Sequence, residues 1–172
     1  MEVHNTKQKF TEIYNREADS LFRYCFLRVH DRDKAIDIVQ DIFTELWKAY
    51  HTNEHIRNER AYLFTLAHNR IIDWYRKKKT DSLDVLLDNG NDSRPFDYPD
   101  EKTHLHIMFS AEAKRVLEAI ETLEPTYRDV LYLRFAEDLS PQEIASILDS
   151  TASIVSVRIT RGLEKLREQF HT

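Results

Sequence analysis

The sequence predicts an all-α protein of two small helical domains joined by an acidic linker. Three observations lead there. The 172 residues include only 2 Gly and 4 Pro. Sheet-rich folds need tight turns, which draw on Gly, Asn and Pro, so the scarcity favours long helices with short polar breaks. Apolar residues recur at steps of three and four over long stretches, the helical period. Charge is also segregated along the chain. Residues 1–55 carry net −2, residues 56–79 net +5, residues 80–103 net −5, residues 112–149 net −5 and residues 150–172 net +2. Positive charge is thus confined to two windows, each predicted to be helical. The boundaries expected are 1–79 for the first domain, 80–110 for the linker and 111–172 for the second domain.

The first helix is expected over residues 6–29, with Phe10, Tyr14, Ala18, Leu21 and Cys25 on one face. His30-Asp31-Arg32-Asp33 interrupts it, and Asp31 or Asp33 can cap the next helix. Residues 34–50 have the cleanest period, with Ile36, Val39, Phe43, Leu46 and Tyr50 as the apolar stripe. Asp37, Gln40, Asp41, Thr44 and Lys48 lie mainly on other faces. Residues 51–58 are polar and read as a loop. A third helix is expected over 59–78, with Leu63, Ala67, Ile71 and Trp74 inward. Residues 80–103 hold seven acidic residues, two prolines and Asn89-Gly90-Asn91, the composition of a linker. Leu83, Leu86, Leu87, Phe96 and Tyr98 are unusual for a plain spacer. They are expected to dock on a partner or on the flanking domains.

The second domain begins near Ala111. Pro125 suits a helix first turn. Ser140 is a good N-cap, Pro141 follows it, and Glu143 sits at capping-box spacing. Short helix, polar turn and longer helix is the pattern of a helix-turn-helix, whose second helix enters a DNA major groove. Ile144, Ala145, Leu148, Val155, Ile159, Leu163 and Leu166 read as core. Ser153, Ser156, Val157, Thr160 and Arg161 are best placed to face a groove. Arg158 and Arg161 suit phosphate or guanine contacts, and a bidentate Arg–guanine pair contributes ~1–3 kcal/mol of discrimination.

Other function classes find little support. Net charge −5 argues against an indiscriminate DNA coat. Cys25 is the only cysteine, so no internal disulfide is possible. The eight histidines show no metal-ligand spacing with the acids or Cys25, and no Gly-rich phosphate loop is present. No catalytic, metal or cofactor site is therefore expected. No apolar run reaches transmembrane length and no signal peptide is evident, so a soluble cytoplasmic protein without direct membrane insertion is expected.

The order of motifs resembles a known family, the extracytoplasmic-function (ECF) group of sigma-70 RNA polymerase sigma factors. Asp37-Ile38-Val39-Gln40-Asp41-Ile42-Phe43 with Trp47 is similar to the polymerase-binding helix of region two. Arg60-Ala61-Tyr62-Leu63-Phe64, Asn69 and Asp73-Trp74-Tyr75-Arg76 resemble its promoter-melting part. Leu123 through Phe135 and the helix-turn-helix resemble region four. Each motif is weak alone, but their order and spacing are specific.

The resemblance implies a role for each part. Asp37, Gln40, Asp41 and Thr44 would meet the clamp helices of the polymerase's largest subunit, and region four would meet its flap. Asn53, Arg57, Asn58, Asn69, Arg70, Arg76 and Lys77 would serve the minus-ten element. Basic residues there neutralise phosphates, and the loop Thr52–Asn58 would take an extruded base. Ser153, Ser156, Val157, Arg158, Thr160 and Arg161 would serve the minus-thirty-five element. The linker would enter the polymerase's basic interior, where its acidic side chains could act as an RNA mimic; a solvated spacer is the alternative. Core RNA polymerase and promoter DNA are the implied partners, with an anti-sigma factor, commonly membrane-bound. Two departures stand out. Asp149 occupies a turn position usually filled by Gly, and Ser156 replaces a common basic residue. Weaker or unusual minus-thirty-five recognition is therefore expected. The competing reading is a stand-alone helix-turn-helix regulator with an N-terminal sensing or dimerisation domain.

Overall fold

The computed structural model describes residues 2–52, 54–88 and 110–170, with side chains described for 6–52, 54–80 and 110–170. The described residues are helices and connecting turns, without strands. They belong to two compact units, Met1–Ser93 and Arg94–Thr172.

In the first unit, α1 spans Glu2–Val29, α2 Arg32–His51 and α3 Glu59–Asp88. α1 stops because His30 turns into the left-handed region at φ 53°, while its N–H donates back to the Phe26 carbonyl at 2.9 Å. Of the two candidate caps, Asp31 is the one used: its carboxylate accepts from the Lys34 N–H at 2.9 Å. α2 ends where the Thr52 hydroxyl donates to the Ala49 carbonyl at 3.1 Å. Asn58 then caps α3, its Oδ1 accepting from the Ala61 N–H at 3.0 Å.

The three helices pack mutually around Leu21, Tyr24 and Cys25 of α1, Ala35, Ile42 and Leu46 of α2, and Leu63, Phe64, Ala67 and Ile71 of α3. The buried face of α2 is broader than its expected stripe. Ile38, Ile42 and Ala49 are buried, whereas Ile36 and Tyr50 are only half-buried. A helix wedged between two neighbours buries two flanks, and the stripe marks only one. Trp74 is likewise half-buried rather than inward. Cys25 has no exposed surface, and burial pushes its thiol pKa up to about 12, so it is an inert core residue.

α3 continues to Asp88, well into the segment expected to be linker. Acidic composition does not break a helix, and no Gly or Pro occurs between Glu59 and Asn89. Residues 89–109, with Phe96 and Tyr98, lie outside the described residues, and the side chains of Leu83, Leu86 and Leu87 are likewise not described.

In the second unit, α4 spans Ala111–Glu121 and α5 Pro125–Leu131. A π-turn follows over Tyr132–Ala136, then α6 Pro141–Ile147 and α7 Ala152–Phe170. The capping box is formed: the Ser140 N–H donates to Glu143 Oε2 at 2.8 Å, and Ser140 Oγ accepts from the Glu143 N–H at 3.3 Å. The core gathers Ile120, Leu123, Val130, Leu131, Leu133, Leu139, Ile144, Ile147, Val155 and Leu166. Leu148, Ile159 and Leu163 are half-buried, and Ile147 takes an inward place that the sequence reading did not assign to it. Gly162 faces α5 so closely that a Cβ would stand 2.9 Å from Leu131 Cδ1. Asp149, at the turn between α6 and α7, has φ 48°. The turn does demand the left-handed conformation, and Asp is among the few non-Gly residues that visit it routinely.

Candidate nucleic-acid and docking interface

Asp37, Gln40, Asp41 and Thr44 are all exposed on one side of α2. The Thr44 hydroxyl donates to the Gln40 carbonyl at 2.8 Å. Beside this polar row lies an aromatic group whose role periodicity did not reveal. Phe10 packs on Trp47 with centroids 5.1 Å apart, and Tyr14 on Phe43 at 4.7 Å. With Gln40 and Thr44 they line an open groove of ≈ 670 Å³. Phe10 and Tyr14 sit on the expected core stripe of α1. The actual inward positions there are Ile13, Glu17 and Leu21, and Tyr14 stays exposed.

Glu17 is the least expected member of that core, at 1% exposure. Arg60 Nη1 donates to its Oε2 at 2.6 Å, and Arg16 Nε donates to its Oε1 at 2.7 Å. Arg60, in the segment similar to a promoter-melting motif, therefore ties α3 to α1. Its guanidinium also lies 5.3 Å from the Phe64 ring centroid.

The residues assigned to minus-ten DNA are spread along α3 and its preceding loop. Arg57, Asn58, Asn69, Arg76 and Lys77 are exposed, and Asn53 lies outside the described residues. Asn58 has a local task as the α3 cap. The signal was available, since Asn directly before a helix is a favoured N-cap. Arg70 reaches across to α2, with Nη2 2.9 Å from Glu45 Oε2 and Nη1 3.5 Å from Asp41 Oδ2. The Glu45 hydrogen bond, opposed by burial and aided by the charges of Glu45, Asp41 and Asp73, raises its guanidinium pKa. One residue of the DNA set thus touches one of the docking set. Lys78 lies over the Trp74 ring at 4.9 Å, and the Tyr75 hydroxyl donates to the Arg28 carbonyl. A hollow of ≈ 290 Å³ lined by Lys9, Tyr50, Glu54, His55 and Ile56 adjoins the loop before α3.

On α7, Ser153, Ser156, Val157, Thr160 and Arg161 are exposed together, while Arg158 is half-buried toward the flank. The Ser156 hydroxyl donates to the Ala152 carbonyl at 2.8 Å and the Thr160 hydroxyl to the Ser156 carbonyl at 3.1 Å. Among the described residues no His, Cys, Asp and Glu group could hold a metal. No helix among them is long and apolar enough to cross a membrane.

Comparison with known proteins agrees with this arrangement. Residues 13–80 match the family Sigma-70 region 2, and residues 113–166 match Sigma-70, region 4. The chain is 30% identical to an RNA polymerase sigma-E factor of Streptomyces antibioticus over 167 residues, covering 95% of this chain and 86% of the relative. It is 27% identical to the ECF RNA polymerase sigma factor SigX of Bacillus subtilis over 166 residues, covering 94% of this chain and 84% of that one. Among solved structures, CnrH in complex with the cytosolic domain of CnrY has TM-score 0.67 and 23% identity, covering 96% of this chain and 89% of that one. The sigma factor RpoE in complex with the anti-sigma factor NepR, from Bartonella quintana, has TM-score 0.72 and 21% identity, covering 96% and 98%. Both regions occur in order on one chain, and the same order extends through relatives aligned over most of their length, so the chain belongs to the sigma-70 family of RNA polymerase sigma factors, in its extracytoplasmic-function group.

Proposed function

We propose that this chain is a promoter-specificity subunit of RNA polymerase. In this reading α2 docks on core polymerase through Asp37, Gln40, Asp41 and Thr44. Complementary charge fixes the register, and the neighbouring aromatic groove supplies apolar contact area. α3 and its preceding loop bind and open the minus-ten element, where cations hold phosphates and unstacked bases are captured. α7 reads the minus-thirty-five element from the major groove. The chemistry of RNA synthesis belongs to the polymerase, and the protein works in the cytoplasm. An anti-sigma factor is the proposed regulator, by likeness to the sigma factor RpoE of Bartonella quintana, whose structure holds the anti-sigma factor NepR.

The observation that carries this reading is the ordered match to regions 2 and 4, on a chain whose positive charge is confined to 56–79 and 150–172. A stand-alone regulator would leave the region-2 half without a task. The test is whether the purified chain converts core polymerase from promoter-blind to promoter-specific initiation. Failure with active core and promoter-rich template refutes the proposal. Within it, Arg161→Ala should weaken upstream binding, whereas Arg57→Ala should mainly reduce permanganate reactivity of opened thymines. Equal loss of closed complex in both, with normal opening, contradicts the division.

A further inference from the structure

We infer that α7 reads thymine methyl groups in the upstream element, through Ile154 and Val157. This rests on α7 being the promoter-reading helix. Ile154 and Val157 are 46% and 50% exposed on the first turns of α7. N-terminal residues of a recognition helix are the ones that reach base edges. A merely solvated face would be filled by charged or amide side chains. Here two branched apolar side chains stand three residues apart on the same side of the helix as Arg161. Three residues rise about 4.5 Å, so the pair reaches two neighbouring base pairs.

The hydroxyls around them strengthen the assignment. Ser156 and Thr160 both donate to carbonyls of α7 itself, at 2.8 and 3.1 Å. Their protons are used inside the helix, and the methyl of Thr160 remains for outside contact. Arg158 is half-buried on the flank, which leaves Arg161 as the exposed cation of this face among residues 152–162. The surface offered to the groove thus sets two branched apolar side chains among small hydroxyl residues, with one guanidinium at its edge. In the major groove the thymine C5-methyl is the apolar feature, and guanine N7 and O6 accept from Arg. The face therefore suits adjacent T·A pairs next to a G·C pair. Ser156 offers no cation to a phosphate or guanine, which shifts discrimination toward the methyl groups.

The test uses the full chain with its cognate core polymerase and a promoter library randomised upstream. Adjacent thymines on one strand should be enriched by wild type. Replacing each selected thymine by uracil removes only the methyl. Each replacement should weaken binding about 4-fold, the equivalent of one buried methyl at ~0.8 kcal/mol. Ile154→Ala/Val157→Ala should bind thymine and uracil promoters equally, and circular dichroism should show its helices intact. Arg161→Ala should bind more weakly yet keep the uracil penalty. Upstream selection without a methyl effect, or a penalty that persists in the double variant, overturns this inference alone. Absence of any upstream selection by wild type overturns the promoter-reading role of α7 as well.

Discussion

Removing Arg60 tests how far a buried carboxylate governs the first unit. Glu17 has 1% exposure and Arg60 Nη1 is 2.6 Å from it, with the Arg60 side chain 28% exposed. Breaking a buried pair by deleting one partner costs ~3–5 kcal/mol, because the remaining charge is left uncompensated. Arg16 still reaches Glu17 at 2.7 Å, so the lower end applies. Arg60→Ala should therefore cost about 3 kcal/mol, including the contact with Phe64, a large share of the ~5–15 kcal/mol typical of a domain. With a urea dependence of ~1–1.5 kcal/mol per molar for a unit this small, the midpoint falls by about 2 M. Trp47 and Trp74 are the only tryptophans, and both lie in this unit. Urea titration of tryptophan fluorescence thus reports on it selectively in the intact chain. Replacing both partners, as Glu17→Met/Arg60→Met, should recover most of the loss, since an apolar pair needs no counter-charge. A midpoint for Arg60→Ala within about 0.5 M of wild type would refute the reasoning. So would a double variant as unstable as the single one. If promoter opening returns with stability in the double variant, Arg60 acts through the fold rather than on DNA.

Charge reversal of Asp37 and Asp41 to Lys should weaken core binding by about tenfold or more while helicity is unchanged, because like charges would then face each other across the interface; fluorescence anisotropy against core polymerase checks it. His68 gives a pH signature. Burial, then the charge of Arg28, pushes its imidazole down to about 4, whereas the unfolded chain titrates near 6.5. The folded state favours the neutral ring, so this contribution is complete above pH 6.5 and is lost as pH falls from 6.5 toward 4. Partial exposure limits the loss to ~1–2 kcal/mol, read as the change in urea midpoint between about pH 7.5 and about pH 5. His68→Gln should flatten that slope. Gly162→Ala gains ~1 kcal/mol of helix propensity but forces a Cβ to 2.9 Å from fully buried Leu131. Overpacking of ~1–3 kcal/mol should outweigh the gain, and amides of α5 should exchange faster with deuterium. Asp149→Val should cost ~1–2 kcal/mol at φ 48°, whereas Asp149→Gly should stay within about 1 kcal/mol of wild type; hydrogen exchange of α6 separates the two.

Features settled within one helical turn were legible in the linear chain. The Ser140–Glu143 box and Pro125 at a first turn each depend on neighbours at most four residues away, whereas the choice of Asp31 over Asp33 as cap and the left-handed backbone of Asp149 came with the structure. The length of α3 is also within reach of the sequence, because no breaker precedes Asn89 and acidity alone does not stop a helix. The order of motifs then identified the family. What needed the tertiary structure is everything decided by how helices face one another. An apolar stripe has a direction only once a partner is placed against it. Phe10 and Tyr14 share the stripe of Leu21 yet end beside an open groove, while Glu17 goes inward because Arg60 arrives from α3, 43 residues later. Arg70 reads as one more cation on a basic helix until α2 brings Glu45 and Asp41 beside it. Charge and periodicity state what each helix can bury. Which groups become buried or paired is set by contacts between residues far apart in the chain, and no local pattern encodes them.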